Sequence, residues 1–230
     1  MKVLSIETST MLGGVAVVDE NAGLIAETRL NVKSTHSERL MSVIDSVLKE
    51  SMMSLNDIDA FAVSIGPGSF TGLRIGLSTA KGLSYATGKP LITVPTLDAF
   101  AWNFPFSSCP VCIMLDARRN EVYTAVYRWQ KNGFDRMMEE LSVKPLDILE
   151  KLKGPVIFAG EGVHIYLELI KEVMKENAII APPDKMVPSP SNVAMLGMAK
   201  ALQHDYTDAS RVVPFYIRRS EAEVKLSEKS

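Results

Sequence analysis

The sequence predicts an α/β protein of two similar lobes, each running β-β-β-α-β-α-β-α. Three observations lead there. The same order of strand and helix patterns runs through the chain twice, and the first strand of each copy ends in a carboxylate, Ile6-Glu7-Thr8 and Leu115-Asp116-Ala117. Between the copies lies an aromatic and proline-rich run, Phe104-Pro105-Phe106-Ser107-Ser108-Cys109-Pro110. It sets the expected boundary between residues 1–106 and 107–230.

In the first copy, short apolar runs predict strands at Lys2–Thr8, Gly14–Asp19 and Leu24–Asn31, with Gly13-Gly14 and Asn21-Ala22-Gly23 as turns. Leu40, Ile44, Val47 and Leu48 recur at helical spacing within Thr35–Met52. A strand (Ala60–Ile65), a glycine turn, a long helix (Ser69–Thr87), a strand (Leu91–Val94) and a helix from Thr96 complete it. The second copy predicts strands at Val111–Asp116, Glu121–Trp129 and Met137–Val143, with Lys131-Asn132-Gly133 as one turn. A short helix (Pro145–Leu152), a strand (Pro155–Ala159), a Gly160-Glu161-Gly162 turn and a helix (His164–Lys175) follow. A strand (Ala178–Ala181) and a final helix (Pro190–Gln203), opened by Ser189 or Ser191, end it. Such lobes pack helices on a mixed sheet.

Composition narrows the function. With 230 residues, 47% apolar and 23% charged, the chain has the makings of a globular core. No run approaches the roughly 20 apolar residues that cross a bilayer, and the start reads as a strand rather than a leader. A cytoplasmic location is the expectation. Twenty-five basic residues against 27 acidic ones argue against a protein that grips nucleic acid alone, since phosphate binding wants a basic surface.

Cys109 and Cys112 are the only cysteines. A redox pair normally sits at a strand-to-helix step, where the helix N-terminus lowers the thiol pKa. Here Cys112 enters an apolar strand instead, so both read as small apolar side chains. His36-Ser37-Glu38-Arg39-Leu40 has the beginning of a helical metal motif but Leu40 where the second histidine would stand. No metal is expected, and His36 reads as a capping or surface residue.

Gly66-Pro67-Gly68-Ser69 opens the most distinctive stretch. Free N–H groups at such a strand-to-helix turn can hold an anion; the bland alternative is a tight turn with Ser69 or Thr71 capping the helix. The Gly-Lys-Ser/Thr end of a P-loop is missing. The helix behind it, with Phe70, Leu73, Ile75, Leu77, Ala80 and Leu83 beside Gly72, Gly76 and Gly82, leaves no clearly polar face. A helix apolar all round is buried on two sides. The neighbouring helix also carries Met41 and Val43 beyond one stripe. Together they point to an interface, with Leu40, Met41, Ile44, Leu73 and Leu77 as anchors and His36 as a further interface candidate. Arg118 and Arg119 read either as a solvated hairpin tip or as forked donors to a phosphate or carboxylate.

The layout resembles the actin-like ATPase (RNase H-like) superfamily of sugar kinases, Hsp70 and actin, in which two lobes clasp a nucleotide. Several segments go further: Val3–Thr10, His36-Ser37-Glu38, Gly66–Gly76, Ala80-Lys81-Gly82-Leu83, Asp116–Tyr123 and Pro214-Phe215-Tyr216-Ile217-Arg218-Arg219. In that order they resemble the TsaB (YeaZ) family. The resemblance implies a role in making N6-threonylcarbamoyladenosine (t6A) at position 37 of tRNA. The implied role is a non-catalytic partner of the metal-containing paralogue TsaD, whose helical His-x-Glu-x-His motif this chain has lost at Leu40. It further implies an ATPase, TsaE, reached through the complex, self-association as a homodimer, and tRNA contact only within the complex.

Glu7 and Asp116 occupy the places where kinase-like folds put carboxylates of the nucleotide cleft, and they stand as vestigial cleft residues. Glu7 is one methylene longer than the usual aspartate. Glu161 puts a carboxylate in the turn where an adenine loop wants small residues, where it repels phosphates. No cofactor is expected. The competing reading is an ATPase or ATP-dependent phosphotransferase using Glu7 and Asp116. A peptidase reading fails for want of a metal set or a Ser-His-Asp constellation.

Overall fold

The protein was analysed as a computed structural model that describes residues 1–31 and 36–217. Thr35, the side chains of His36 and Glu38, and Arg218 and Arg219 lie outside the described residues. The chain forms two compact units: Met1–Ala99 with Pro188–Phe215, and Phe100–Val187 with Tyr216.

The first unit holds a five-stranded sheet ordered β3-β2-β1-β4-β5. Its strands are β1 (Lys2–Glu7), β2 (Leu12–Asp19), β3 (Gly23–Asn31), β4 (Ala60–Gly66) and β5 (Leu91–Pro95). β1 runs antiparallel to β2 and parallel to β4. Side chains alternate across a strand, and each face of this sheet receives its own set. Leu4, Ile6, Phe61 and Val63 join Val15 and Val17 beneath α1 (His36–Glu50) and α2 (Phe70–Thr87). Val3, Ala60, Ala62, Ile92 and Val94 form the opposite face.

The helix on that opposite face comes from the far end of the chain. After α3 (Thr96–Ala101) and all the helices of the second unit comes α7 (Pro190–Leu202), whose Val193, Ala194, Met198 and Ala201 pack against Val3, Ala60 and Ala62. The expected division at residues 106 and 107 is therefore corrected: the last helix belongs to the first unit. Small side chains explain the choice. A Cβ on Gly197 would stand 2.5 Å from the Cβ of Ala62, so glycine over alanine lets the helix lie close on the sheet. Ser5 Oγ donates to the carbonyl of Pro190 at 2.6 Å. Glu27, on β3, accepts from Ser189 Oγ (2.7 Å), the Ser191 amide (3.0 Å) and Arg29 (3.0 Å).

The second unit repeats the sheet. Its strands are β6 (Val111–Arg118), β7 (Glu121–Gln130), β8 (Gly133–Val143), β9 (Val156–Ala159) and β10 (Ala178–Ile180), in the order β10-β9-β6-β7-β8. β6 is antiparallel to β7 and parallel to β9, so the first sheet's pattern recurs strand for strand. Helices α4 (Pro145–Leu149), α5 (Glu161–Ile165) and α6 (Leu167–Met174) accompany it. β8 starts earlier than Met137 because its register with β7 continues down to Gln130 and Gly133. The expected Gly160-Glu161-Gly162 turn is instead the start of α5, with Gly160 as N-cap at φ 117°. The helix expected from His164 is broken at Tyr166, whose φ of −110° and ψ of 21° leave helical geometry. At the other end of this sheet Trp102, Trp129 and Phe134 meet edge to face, with ring centroids 5.1–6.1 Å apart.

Candidate functional site

In the first unit the glycine-rich turn serves packing. Ser69 Oγ accepts from the Gly72 amide at 3.3 Å, capping α2, while the Ser69 amide donates to the carbonyl of Ser9 at 2.7 Å. Pro67 has no N–H to give. Two donors of the turn, the Ser69 and Gly72 amides, are thus committed within the unit. Gly68 and Gly72 sit where any Cβ would overlap the carbonyl oxygens of Ser9 and Thr8, and one on Gly76 would overlap the Thr8 hydroxyl. Thr8 Oγ1 donates in turn to the carbonyl of Gly72 at 2.8 Å. Gly66 is similarly covered, by the carbonyl of Phe215. The glycines let α2 press directly on the loop after β1.

Glu7 lies beneath that loop and is fully buried. Its Oε1 accepts from the Ser9 amide at 2.6 Å and from the Ser9 hydroxyl. Its Oε2 and Ser64 Oγ on β4 make no bond of good hydrogen-bond geometry among the described residues, although the Ser64 hydroxyl lies close enough to act on the carboxyl. Burial pushes the carboxyl above its ordinary range, against the opposing pull of the Ser9 and Ser64 hydroxyls and the Ser9 amide. A ligand does not reach such a group without opening the loop.

The other carboxylate singled out in the sequence, Asp116, belongs to the second unit. Its Oδ1 accepts from the Arg118 amide at 2.8 Å and its Oδ2 pairs with the Arg118 guanidinium at 3.1 Å. The arginine side chain is 81% exposed, so the pair contributes little to stability. Arg118, Arg119 and Asn120 all have positive φ, between 54° and 62°. Three left-handed non-glycine residues in a row shape this hairpin tip. Burial raises the pKa of Glu161, and Asp116 nearby adds to the shift.

The interface candidates divide sharply. Leu40, Ile44, Leu73 and Leu77 are buried within their own unit, at 6%, 2%, 1% and 4% exposure. They are core, which corrects their reading as outward anchors: the sheet beneath α1 and α2 takes them up. Met41, by contrast, is half exposed. Sequence reasoning missed Tyr85, which is 93% exposed, and Met52, which is 95% exposed. The outer face of α2 carries Thr71, Arg74, Ser78, Gly82 and Tyr85, and nothing lies within 4 Å of a Cβ placed on Gly82. Spacings of three and four between these positions were readable in the sequence as one helical face. The stronger apolar pattern of the buried face masked them.

Cys112 is buried, and its thiol is pushed up to about 12 by burial, with Thr124 Oγ1 3.6 Å away. It stays protonated and unreactive. No described helix is long and apolar enough to cross a membrane.

Comparison with known proteins supplies the family. The family model described as "TsaD: tRNA N6-adenosine threonylcarbamoyltransferase" matches residues 24–226. The chain is 33% identical over 228 residues to the tRNA threonylcarbamoyladenosine biosynthesis protein TsaB of Bacillus subtilis (strain 168), covering 98% of this chain and 97% of that one. It is 31% identical to the Escherichia coli (strain K12) protein of the same name, over 98% of each. Among solved structures, YeaZ from Pseudomonas aeruginosa superposes with a TM-score of 0.77 at 25% identity, over 94% of this chain and 99% of that one. The activator of 2-hydroxyisocaproyl-CoA dehydratase from Clostridium difficile shares the fold alone, with a TM-score of 0.51 at 10% identity over 90% and 99% of the two chains. The two repeated sheets are those of the actin-like ATPase fold, and the chain belongs to the TsaB (YeaZ) family.

Proposed function

We propose that the protein is a non-catalytic partner subunit in the biosynthesis of N6-threonylcarbamoyladenosine in tRNA. It supports a TsaD-type transferase and reaches a TsaE-type ATPase and tRNA only through that complex, in the cytoplasm. The observation that carries the reading is similarity to TsaB proteins along the whole chain. The sealed state of Glu7 and the engagement of the Ser69 and Gly72 amides within the unit support a subunit that does no phosphoryl chemistry. The exposed side of α1 and α2, around Met41, Gly82 and Tyr85, is the proposed pairing surface, for the paralogue or for a second copy. Helices with small residues on the facing side can approach closely, and a paired fold offers two such helices in return.

The test is co-purification with the organism's own TsaD-type protein. Met41→Glu and Tyr85→Glu leave the lone subunit folded and abolish pairing and t6A formation. Leu40→Glu, Ile44→Glu, Leu73→Glu and Leu77→Glu unfold it, because a charge in the core loses water without gaining a partner. Retention of pairing by both surface variants moves the interface elsewhere. Metal-dependent ATP turnover by the lone protein, lost in Glu7→Ala, replaces the whole reading with an ATPase.

A further inference from the structure

Two apolar side chains beyond α7 face water on a backbone that is firmly held. After α7 the chain turns back along the first sheet. Thr207 pairs with Leu91 on β5, its amide donating to the Leu91 carbonyl at 2.8 Å. Its Oγ1 accepts from the Thr93 amide at 3.1 Å. Further on, the Phe215 amide donates to the carbonyl of Ile65 at 2.8 Å, beside the turn that opens α2. Residues 207–215 are therefore a strap tied down at both ends.

Sheet order fixes where the strap lies. α1 packs over β2 and β3, α2 over β1 and β4, and the strap starts at β5, the outer strand on the other side. α2 thus has α1 on one flank and the strap on the other. Ala209 and Val212 pack against the apolar cluster that holds Leu77, Ala80 and Leu83 of α2, and Lys81 is close enough to draw on the Asp208 carboxylate. At the far end, the Phe215 carbonyl and Leu73 both border Gly66. The strap follows α2 from Lys81 back to its first turns.

Its inward residues, Thr207, Ala209, Val212 and Pro214, are half-buried. Its outward residues begin polar, with Asp208, Ser210 and Arg211, and finish apolar, with Val213 at 69% and Phe215 at 46% exposure. The change falls where the strap reaches the start of α2. At that same end Arg74 stacks on Phe70, 3.8 Å from the ring centroid. Aromatic and arginine side chains supply the strong contacts of interfaces, and residues on a pinned backbone lose little further freedom when a partner covers them.

We propose that the strap is the third element of the pairing surface, with Val213 and Phe215 as contact residues for the TsaD-type subunit. The inference rests on the pairing face assigned above to α1 and α2, and extends it across α2 to the far flank. The family match runs through residues 24–226, so a partner of that family carries counterparts of α1, α2 and the strap and can meet all three together.

The experiment titrates full-length wild type, Val213→Glu, Met41→Glu and Met195→Glu calorimetrically against the organism's purified TsaD-type protein. Met195, on α7 and 50% exposed, is the control for an exposed apolar residue on the opposite face of the sheet. Val213→Glu should weaken pairing at least about thirtyfold, the loss that marks a strong interface contact, with its melting temperature unchanged. Met41→Glu should fail in the same way, and Met195→Glu should bind normally. Val213→Ser, which shortens the side chain without adding charge, should weaken pairing about fivefold or more. Hydroxyl-radical footprinting of wild type should find Phe215 shielded in the complex and labelled in the lone subunit. If Val213→Glu pairs like wild type while Met41→Glu fails, the strap proposal falls and the reading of α1 and α2 stands; if both pair normally, both fall. Loss of self-association alone makes the occupant a second copy and overturns the proposal, as does an equal loss of pairing in Met195→Glu. Should Val213→Glu fail to fold, normal affinity in Val213→Ser or a Phe215 labelled equally in the complex overturns it.

Discussion

Three glycines on one helix give a prediction with opposite signs. Gly72, Gly76 and Gly82 all lie in α2, and replacing glycine by alanine in a helix interior gains about 1 kcal/mol of propensity. At Gly82 the new methyl meets nothing within 4 Å. The full gain should appear, and for a chain of 150–250 residues about 1 kcal/mol raises Tm by roughly 2–4 °C. At Gly72 the methyl would overlap the backbone carbonyl of Thr8. Backbone does not rotate aside, so α2 must lift from the loop. Overpacking of this kind costs about 1–3 kcal/mol and outweighs the gain. Gly76→Ala should fall between, because its obstacle is the Thr8 hydroxyl; turning that side chain away sacrifices its 2.8 Å bond to Gly72.

Differential scanning calorimetry of the three alanine variants should order them Gly82→Ala above wild type, then Gly76→Ala, then Gly72→Ala. A fourth variant connects packing with pairing. Gly82→Arg keeps a good helix former and has open space on the lone subunit, yet it places a long charged side chain where another helix would approach. It should fold normally and fail to co-purify with the TsaD-type protein. A destabilised Gly82→Ala, or a neutral Gly72→Ala, refutes the packing argument. Normal pairing by Gly82→Arg refutes the assignment of this face.

Two further outcomes follow from buried groups. Burial pushes the Glu27 carboxyl up, but Arg29, Ser189 and the Ser191 amide outweigh it and leave the pKa lowered. Its contribution is therefore present above the unfolded pKa and is lost as pH falls, so Glu27→Gln should flatten the acid limb of a urea-midpoint profile; an unchanged limb refutes the role of this cluster. In native protein an aromatic disulfide reagent should titrate no more than one thiol, that of the half-buried Cys109, because Cys112 is sealed and protonated. Rapid reaction of two thiols contradicts the structure, and Cys109→Ser with Cys112→Ser should leave t6A formation intact.

Much of this architecture was legible because it is local. The doubled order of elements, the turn at Gly66-Pro67-Gly68 and the Ser69 cap all follow from neighbours in the chain. The faces of α1 and α2 were not, since Leu40 and Met41 look equally apolar and only the sheet decides which of them is buried. The fate of α7 was hidden for a related reason. Val193, Ala194, Gly197, Met198 and Ala201 mark a buried stripe, but a stripe does not name its sheet. The small Ala60 and Ala62 that accept it lie some 130 positions earlier in the sequence. Glu7 shows a third kind of limit. Its position at a strand end suggests a cleft carboxylate, whereas its role depends on the loop of Ser9 folding over it.

The return of α7 to the first sheet has a consequence for how the chain is made. When Ala99 leaves the ribosome the first sheet can already form, with α1 and α2 on one side, but Val3, Ala60, Ala62 and Ile92 still lack the α7 side chains that complete their cover. The segment Phe100–Val187 must be synthesised before Pro190–Leu202 arrives. At translation rates of about 5–20 residues per second that interval is on the order of 5–20 s. For that time a newborn chain presents a smooth apolar sheet face of small residues, open to chaperones or to another nascent copy. Ribosome-bound chains halted before residue 190 should be the aggregation-prone species, and a peptide corresponding to α7 should quiet them.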